Sequence, residues 1–107
     1  MRLALITVGR LKDGPERDLC ERYRERAAAL GRGLGLSGPD IIEISESRGR
    51  RPDERKREEG QAILAKLQPG LVIALDERGR SQTSDAFAAK IASARDAGTA
   101  NASLVIG

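Results

Sequence analysis

The sequence predicts an α/β domain: a four-stranded parallel sheet with helices on both faces. Two observations support this prediction. Four short apolar runs, each of strand length, are separated by three longer polar stretches with helical spacing. Strands that alternate with helices in this way form parallel sheets covered on both faces. The 107 residues are enough for a single domain, residues 1–107. The apolar runs are Leu3–Val8, Ile41–Ile44, Leu71–Leu75 and Leu104–Ile106.

The third and fourth runs have the character of central strands. Leu71–Leu75 is apolar at every position, which is typical of a strand buried on both faces. Leu104–Ile106 stands at the end of the sequence and is followed only by Gly107. Because a central strand needs elements on both faces, we expect further chain to follow Gly107.

The first polar stretch predicts a helix that begins at Pro15, since proline is favoured in the first helical position. An apolar stripe at helical spacing runs along it, and the glycine-rich stretch Gly31–Gly38 ends it. The residues of that stripe are Leu19, Tyr23, Ala27 and Leu30.

Two further helices are predicted. One begins near Pro52 with almost wholly charged turns, a pattern typical of a helix start that projects from the body. The other begins where Thr83 or Ser84 can cap it, and Gly98 is suited to its end. The predicted inward stripes are Ile63, Leu64 and Leu67 in the former helix and Phe87, Ile91 and Ala94 in the latter.

The composition excludes several kinds of site. There is no histidine, and Cys20 is the only cysteine, so we expect no metal site, no disulfide and no cysteine nucleophile with its usual base. Tyr23 and Phe87 are the only aromatic residues, too few for a platform that stacks single-stranded bases. No apolar run is long enough to span a bilayer, so we expect a cytoplasmic protein outside the membrane.

A basic segment gives the first candidate site. Between Arg48 and Arg57 there are six basic residues against two acids, within a chain of net charge +3. Such a segment can contact RNA phosphates through Arg48, Arg50 and Arg51. The alternative is a solvated helix start whose charges are neutralised by ion pairs within the helix.

The ends of the third and fourth strands give the second candidate site. Ligands of open parallel sheets bind beyond the carboxyl ends of the strands, where Leu75, Asp76 and Gly107 are placed. Leu75 can offer apolar contact, and Gly107 allows a ligand to approach the backbone. The alternative is a charged surface turn beside a strand end.

Four segments, in order along the whole chain, carry a resemblance to a known family. They are Val8-Gly9-Arg10-Leu11-Lys12, Glu59-Gly60-Gln61-x-Ile63-Leu64, Leu75-Asp76-x-x-Gly79-Arg80-x-x-Thr83-Ser84-x-x-Phe87-Ala88 and Leu104-Val105-Ile106-Gly107. Together they resemble the N-terminal two thirds of the SPOUT (α/β-knot) ribosomal RNA large subunit methyltransferase H family.

The resemblance implies a fold and an activity. The fold is the N-terminal part of an α/β-knot, without the C-terminal knot. The activity is methylation of a pseudouridine of 23S ribosomal RNA at ring nitrogen three, on assembled ribosomes, by a homodimer that uses S-adenosylmethionine. Leu75 and Gly107 match cofactor contacts of the family. The family's catalytic residues lie in the C-terminal part and cannot be assigned to this sequence.

Two other interpretations remain open from the sequence. The chain can be a small non-catalytic α/β binding domain, or a truncated fragment that is inactive alone. Chain continuing past Gly107 favours a methyltransferase as the parent protein. We expect the 107 residues by themselves to be inactive.

Overall fold

The computed structural model describes residues 1–106 and confirms the alternation of strands and helices. The elements are β1 (Arg2–Val8), α1 (Pro15–Arg32), β2 (Ser37–Ile44), α2 (Pro52–Lys66), β3 (Leu71–Leu75), α3 (Ser84–Asp96) and β4 (Asn101–Ile106). Helices α1 and α2 begin at the predicted prolines. Strand β2 begins four residues before the apolar run that predicted it, because it pairs with β1 from Ser37 onward.

The four strands form one parallel sheet in the order β2-β1-β4-β3. The chain crosses the sheet in one direction from β1 to β2 and in the opposite direction from β2 to β3. Since crossovers between parallel strands are right-handed, α2 lies on one face and α1 and α3 lie on the other. The predicted α/β class with helices on both faces is therefore confirmed. Strand β4 is central, as predicted.

Strand β3 differs from the prediction. It pairs only with β4 and forms an edge of the sheet, with Val72 47% and Leu75 44% exposed. The prediction of a strand buried on both faces was wrong for residues 1–106. An unbroken apolar run indicates that both faces can be covered, but it does not specify which part of a protein covers them.

The buried apolar core of the described residues is small and centred on β1. Ile6 is completely buried, and Ile44, Ile91 and Ala102 are the other buried apolar residues. The apolar stripe of α1 lies outside this core: Leu19 is 50%, Tyr23 59% and Leu30 72% exposed. The helix instead places its buried Gly31 near its C-terminal end against Leu36, the residue that precedes β2.

Helix α3 has well-formed ends that follow the predicted signals. Thr83 Oγ1 accepts a hydrogen bond from the backbone N–H of Ala86 at 3.0 Å, which caps the first turn. At the other end Gly98 has a φ of +86° and donates to the carbonyl of Arg95, while Thr99 donates to Ala94. This pair of bonds is a Schellman motif, which satisfies the last carbonyls of the helix.

A bulge shapes the start of β2. Strand β1 pairs Arg2 with Ser37 but Ala4 with Asp40, so two residues of β2 stand opposite Leu3 alone. The first of the two, Gly38, has a φ of +87°, and a Cβ there would lie 2.4 Å from the carbonyl oxygen of Leu3. Only glycine meets both conditions.

Candidate functional site

The carboxyl ends of all four strands meet at one edge of the sheet. In the register Thr7, Ile106 and Leu75 lie side by side on β1, β4 and β3, and Val8 pairs with Ile44 one step further. Both candidate sites predicted from the sequence follow these strand ends. The fold therefore brings them to a common edge, with β3 and β4 on one half and β1 and β2 on the other.

The first half carries the residues predicted to bind a cofactor. Leu75 ends β3 and pairs with Ile106, the last described residue of β4 and 40% exposed. Gly107 lies outside the described residues. After Leu75 the chain turns sharply: Gly79 N–H donates to the Asp76 carbonyl at 2.9 Å. Leu75 and Ile106 thus leave an exposed apolar surface at the ends of two adjacent strands.

The second half carries the predicted RNA-contacting arginines. They lie in the β2–α2 connection, residues 45–51, which we name the arginine loop. Arg48, Arg50 and Arg51 are all exposed there. Exposed guanidinium groups at a strand end are accessible to a large polyanion such as RNA.

The arginine loop is held in place by α2. Glu59 Oε2 accepts a hydrogen bond from the backbone N–H of Ser47 at 2.8 Å, and Glu58 accepts one from the Ser47 hydroxyl. The same hydroxyl oxygen accepts from Gly49 N–H at 3.0 Å, and Arg55 donates to the Gly49 carbonyl at 2.9 Å. The start of α2 thus packs on the loop through polar contacts, in place of the free projection that its charge pattern predicted.

These contacts use two of the four acids, Asp53, Glu54, Glu58 and Glu59, that were expected to neutralise the arginines. Of the described residues, none of the six basic side chains between Arg48 and Arg57 forms an ion pair with an acid. Glu58 and Glu59 bond to Ser47 in their place. No ion pair within α2 supports the alternative of a neutralised patch, although the Glu54 carboxyl group lies beside Gly49 of the arginine loop.

A depression of about 380 Å³ lies between the arginine loop and the β1–α1 connection. We name it the edge pocket; its lining residues are Gly9, Arg10, Ser45, Glu46, Ser47 and Arg48. Sequence analysis did not select Arg10 or Glu46. The signal that could have found them is their position, since each follows within two residues the end of one of two paired strands.

A larger groove of about 1130 Å³ lies between α1 and the strands β1 and β2. Leu5, Ile41 and the exposed α1 residues Leu19 and Tyr23 give it an apolar lining. Its rim is polar. There Arg24 forms a bidentate ion pair with Glu21, which lowers the pKa of that carboxyl group.

Glu43 lines this groove and contacts both the β1–α1 connection and α1. Its carboxylate accepts from the backbone N–H of Leu11 at 2.9 Å and lies 3.6 Å from Arg17 Nη1. Arg17 also donates to the Leu11 carbonyl at 2.6 Å. The β1–α1 connection is therefore anchored to β2 and to α1 through Leu11.

Two further properties of residues 1–106 bear on the chemistry. No group of three or more histidine, cysteine, aspartate or glutamate side chains is placed to hold a metal ion. No helix in the same range is both long and apolar enough to cross a membrane.

Comparison with known proteins identifies the family. The family described as "Predicted SPOUT methyltransferase" matches residues 1–107. The chain is 56% identical over 108 residues to a Methylobacterium sp. (strain 4-46) protein named "Ribosomal RNA large subunit methyltransferase H", covering 100% of this chain and 67% of the relative.

Proteins of the same name in two other organisms agree. The Methylorubrum extorquens (strain PA1) protein is 56% identical over 110 residues, which are 100% of this chain and 66% of that relative. The Rhodopseudomonas palustris (strain TIE-1) protein is 51% identical over 108 residues, again the whole chain and 68% of the relative. The chain spans about two thirds of the length of these relatives. It belongs to the SPOUT methyltransferase family.

Proposed function

We propose that the full-length protein containing this chain methylates a pseudouridine of large-subunit ribosomal RNA at ring nitrogen three, with S-adenosylmethionine as the methyl donor. The observation that carries the proposal is the family match over the whole chain, with relatives named for this class of substrate. A small binding domain unrelated to methyl transfer, which the sequence left open, does not account for a match of this extent.

We assign different ligands to the two halves of the carboxyl edge of the sheet. Leu75, at the end of β3, and Gly107, which follows the last described residue of β4 in the sequence, are proposed to bind the cofactor. The arginine loop, on the half formed by β1 and β2, is proposed to bind RNA. Neighbouring strands are about 4.8 Å apart, so β2, which leads into the arginine loop, lies about 10 Å from β4 and about 14 Å from β3. This spacing is compatible with RNA bound near the methyl donor.

Methyl transfer requires mainly that the methyl donor and the RNA base are held in the correct relative position. When bound, S-adenosylmethionine supplies a methyl group on a positively charged sulfur. The RNA ring nitrogen is the nucleophile, so the protein does not need a covalent residue, and a histidine-free chain is compatible with this reaction. The described residues contribute an apolar wall at Leu75 and phosphate contacts at Arg48, Arg50 and Arg51. These contacts hold the reactants in line, which can supply much of the rate enhancement.

The proposal extends to assembly and location. We propose that the full-length protein is a homodimer that acts on assembled ribosomes in the cytoplasm. The exposed apolar stripe of α1 is compatible with burial in a larger assembly.

A methylation assay tests the proposal. Full-length protein, S-adenosylmethionine with an isotopically labelled methyl group, and ribosomes that lack the modification are incubated together. We expect label in large-subunit rRNA, at a pseudouridine identified by digestion and mass spectrometry. Gly107→Val is expected to abolish labelling and weaken cofactor binding in calorimetry, because its side chain enters the cofactor site. Absence of label with the unmodified protein, or label in another RNA, contradicts the proposal.

A further inference from the structure

The edge pocket contains an acid that the proposed phosphate contacts do not explain. Glu46 is exposed and lines the pocket together with Arg10 and Arg48. Within residues 1–106 none of the three forms an ion pair, and the Glu46 carboxylate accepts no hydrogen bond. Three charged groups thus line one depression without neutralising one another.

Three neighbouring carboxylates are engaged by hydrogen bonds or an ion pair, whereas Glu54 lies beside Gly49 of the arginine loop. Glu43 is engaged by Leu11 and Arg17, while Glu58 and Glu59 bond to Ser47. The β1–α1 connection and the arginine loop, which form the pocket, are therefore each held by side chains outside the pocket lining. What remains available at the pocket is two guanidinium groups and one carboxylate.

The backbone makes room for this carboxylate. Gly9 has a φ of +94°, and a Cβ there would lie 3.1 Å from Glu46 Oε1. Its N–H donates to the Ile44 carbonyl at 2.7 Å, which keeps the two connections together. A larger residue at this position is strained and crowds the carboxylate.

A carboxylate close to a bound phosphate repels it. The repulsion is offset only if another group of the same ligand donates a hydrogen bond to the carboxylate. In the sugar–phosphate backbone of RNA the only such donor is the ribose 2′-hydroxyl, which is also the group that distinguishes RNA from DNA. Guanidinium groups bind phosphate oxygens with paired donors. The three side chains therefore match the chemistry of one ribonucleotide.

We propose that the edge pocket takes one ribonucleotide of the RNA substrate. Arg10 and Arg48 bind its phosphate, and Glu46 accepts a hydrogen bond from its 2′-hydroxyl and so selects RNA over DNA. This inference rests on the proposed function, because it takes RNA to be the substrate, and it adds a sugar-reading residue to the phosphate contacts of the arginine loop.

The test compares two probes that differ only in the 2′-hydroxyl. Fluorescence anisotropy measures binding of labelled oligouridylate and of oligodeoxyuridylate of equal length to the full-length protein. We expect the unmodified protein to prefer the ribose form. Glu46→Ala is expected to remove that preference by weakening RNA binding roughly tenfold, the size of one hydrogen bond to a charged group. Glu46→Gln keeps an acceptor oxygen and is expected to retain part of the preference.

Two controls sharpen the comparison. Arg10→Ala is expected to weaken both probes and to lower the salt slope of binding by about one unit, as one lost phosphate contact does. Glu25→Gln removes an acid of α1 outside the pocket and is expected to leave the ratio of the two affinities unchanged. Circular dichroism establishes that each variant is folded.

Several outcomes overturn the inference. Tighter binding of both probes by Glu46→Ala and Glu46→Gln assigns Glu46 a merely repulsive role. An unchanged affinity ratio in Glu46→Ala, or loss of preference in Glu25→Gln, removes the pocket assignment. If these outcomes occur while ribosomes are still methylated, only the inference fails. If the ribose preference holds but no rRNA is methylated, the proposed function fails.

Discussion

At the scale of single residues, glycines at close approaches determine the backbone path. Gly38 sits at the β1–β2 bulge with a positive φ and no space for a Cβ beside Leu3. Gly60 is different: it lies inside α2, and a Cβ there would meet nothing within 4 Å among the described residues. Alanine is therefore expected to be unfavourable at Gly38 and to be accommodated at Gly60.

We expect Gly38→Ala to destabilise the full-length protein by about 2 kcal/mol or more, because it combines backbone strain with a clash against a carbonyl oxygen. Gly60→Ala is the matched control and is expected to stabilise by about 0.5–1 kcal/mol, because alanine loses less backbone entropy in a helix. Thermal or denaturant unfolding measures both. Equal stability of the two variants contradicts the packing described at the bulge.

At the scale of elements, the arginine loop carries three arginines that form no ion pair among the described residues. Arg48, Arg50 and Arg51 are exposed, and α2 fixes the loop through Ser47. Contacts with phosphate release counterions, so they appear as a dependence of affinity on salt. The loop is therefore expected to contribute affinity for RNA in general, with little choice of sequence.

Replacing Arg48, Arg50 and Arg51 with alanine in the full-length protein is expected to weaken ribosome binding and to lower the slope of log affinity against log salt by about three units, one per lost contact. The control removes equal charge from α1 by replacing Arg22, Arg26 and Arg32. Binding is measured over a salt series. An unchanged slope in the loop variant, or an equal change in the control, moves the RNA-binding surface elsewhere.

The elements show what the sequence could and could not predict. Local signals placed them well: Pro15 and Pro52 begin their helices, Thr83 caps α3, and Gly98 ends it. Each of these signals acts within a few residues of the chain. The hydrogen bonds from Ser47 to α2 cross eleven and twelve residues and depend on loop geometry. The edge pocket forms because β1 lies beside β2. The spacing of apolar residues in the sequence does not specify which strands are neighbours.

At the scale of the whole molecule, the described chain leaves much apolar surface uncovered. Strand β3 is an edge, the α1 stripe faces a groove, and ten large apolar side chains are exposed. Leu71–Leu75 was expected to be buried because its composition fits a covered strand. The relatives are about half as long again as this chain, since it spans 67% of the first of them. A sequence pattern typical of a strand buried on both faces is consistent with β3 being covered by such additional chain.

We expect the isolated 107-residue chain to bind S-adenosylmethionine much more weakly than the full-length protein. Leu75 and Ile106 offer one wall, and association must offset several kcal/mol of lost translational and rotational freedom, of the order of 4–15 kcal/mol. Calorimetry on both proteins makes the comparison, with circular dichroism to establish that the short chain is folded. Equal affinity shows that the cofactor site is complete within these residues.

The hydrogen bonds that Ser47 donates to Glu58 and Glu59 also have a kinetic consequence. A loop that is ordered before its ligand arrives loses little conformational entropy on binding. Encounter with RNA is then governed by long-range attraction, which accelerates association at low ionic strength and is screened by salt. We therefore expect salt to act on the association rate more than on the lifetime of the complex. Two acidic side chains that accept hydrogen bonds from Ser47 thus hold a loop whose arginines are expected to steer an anionic partner.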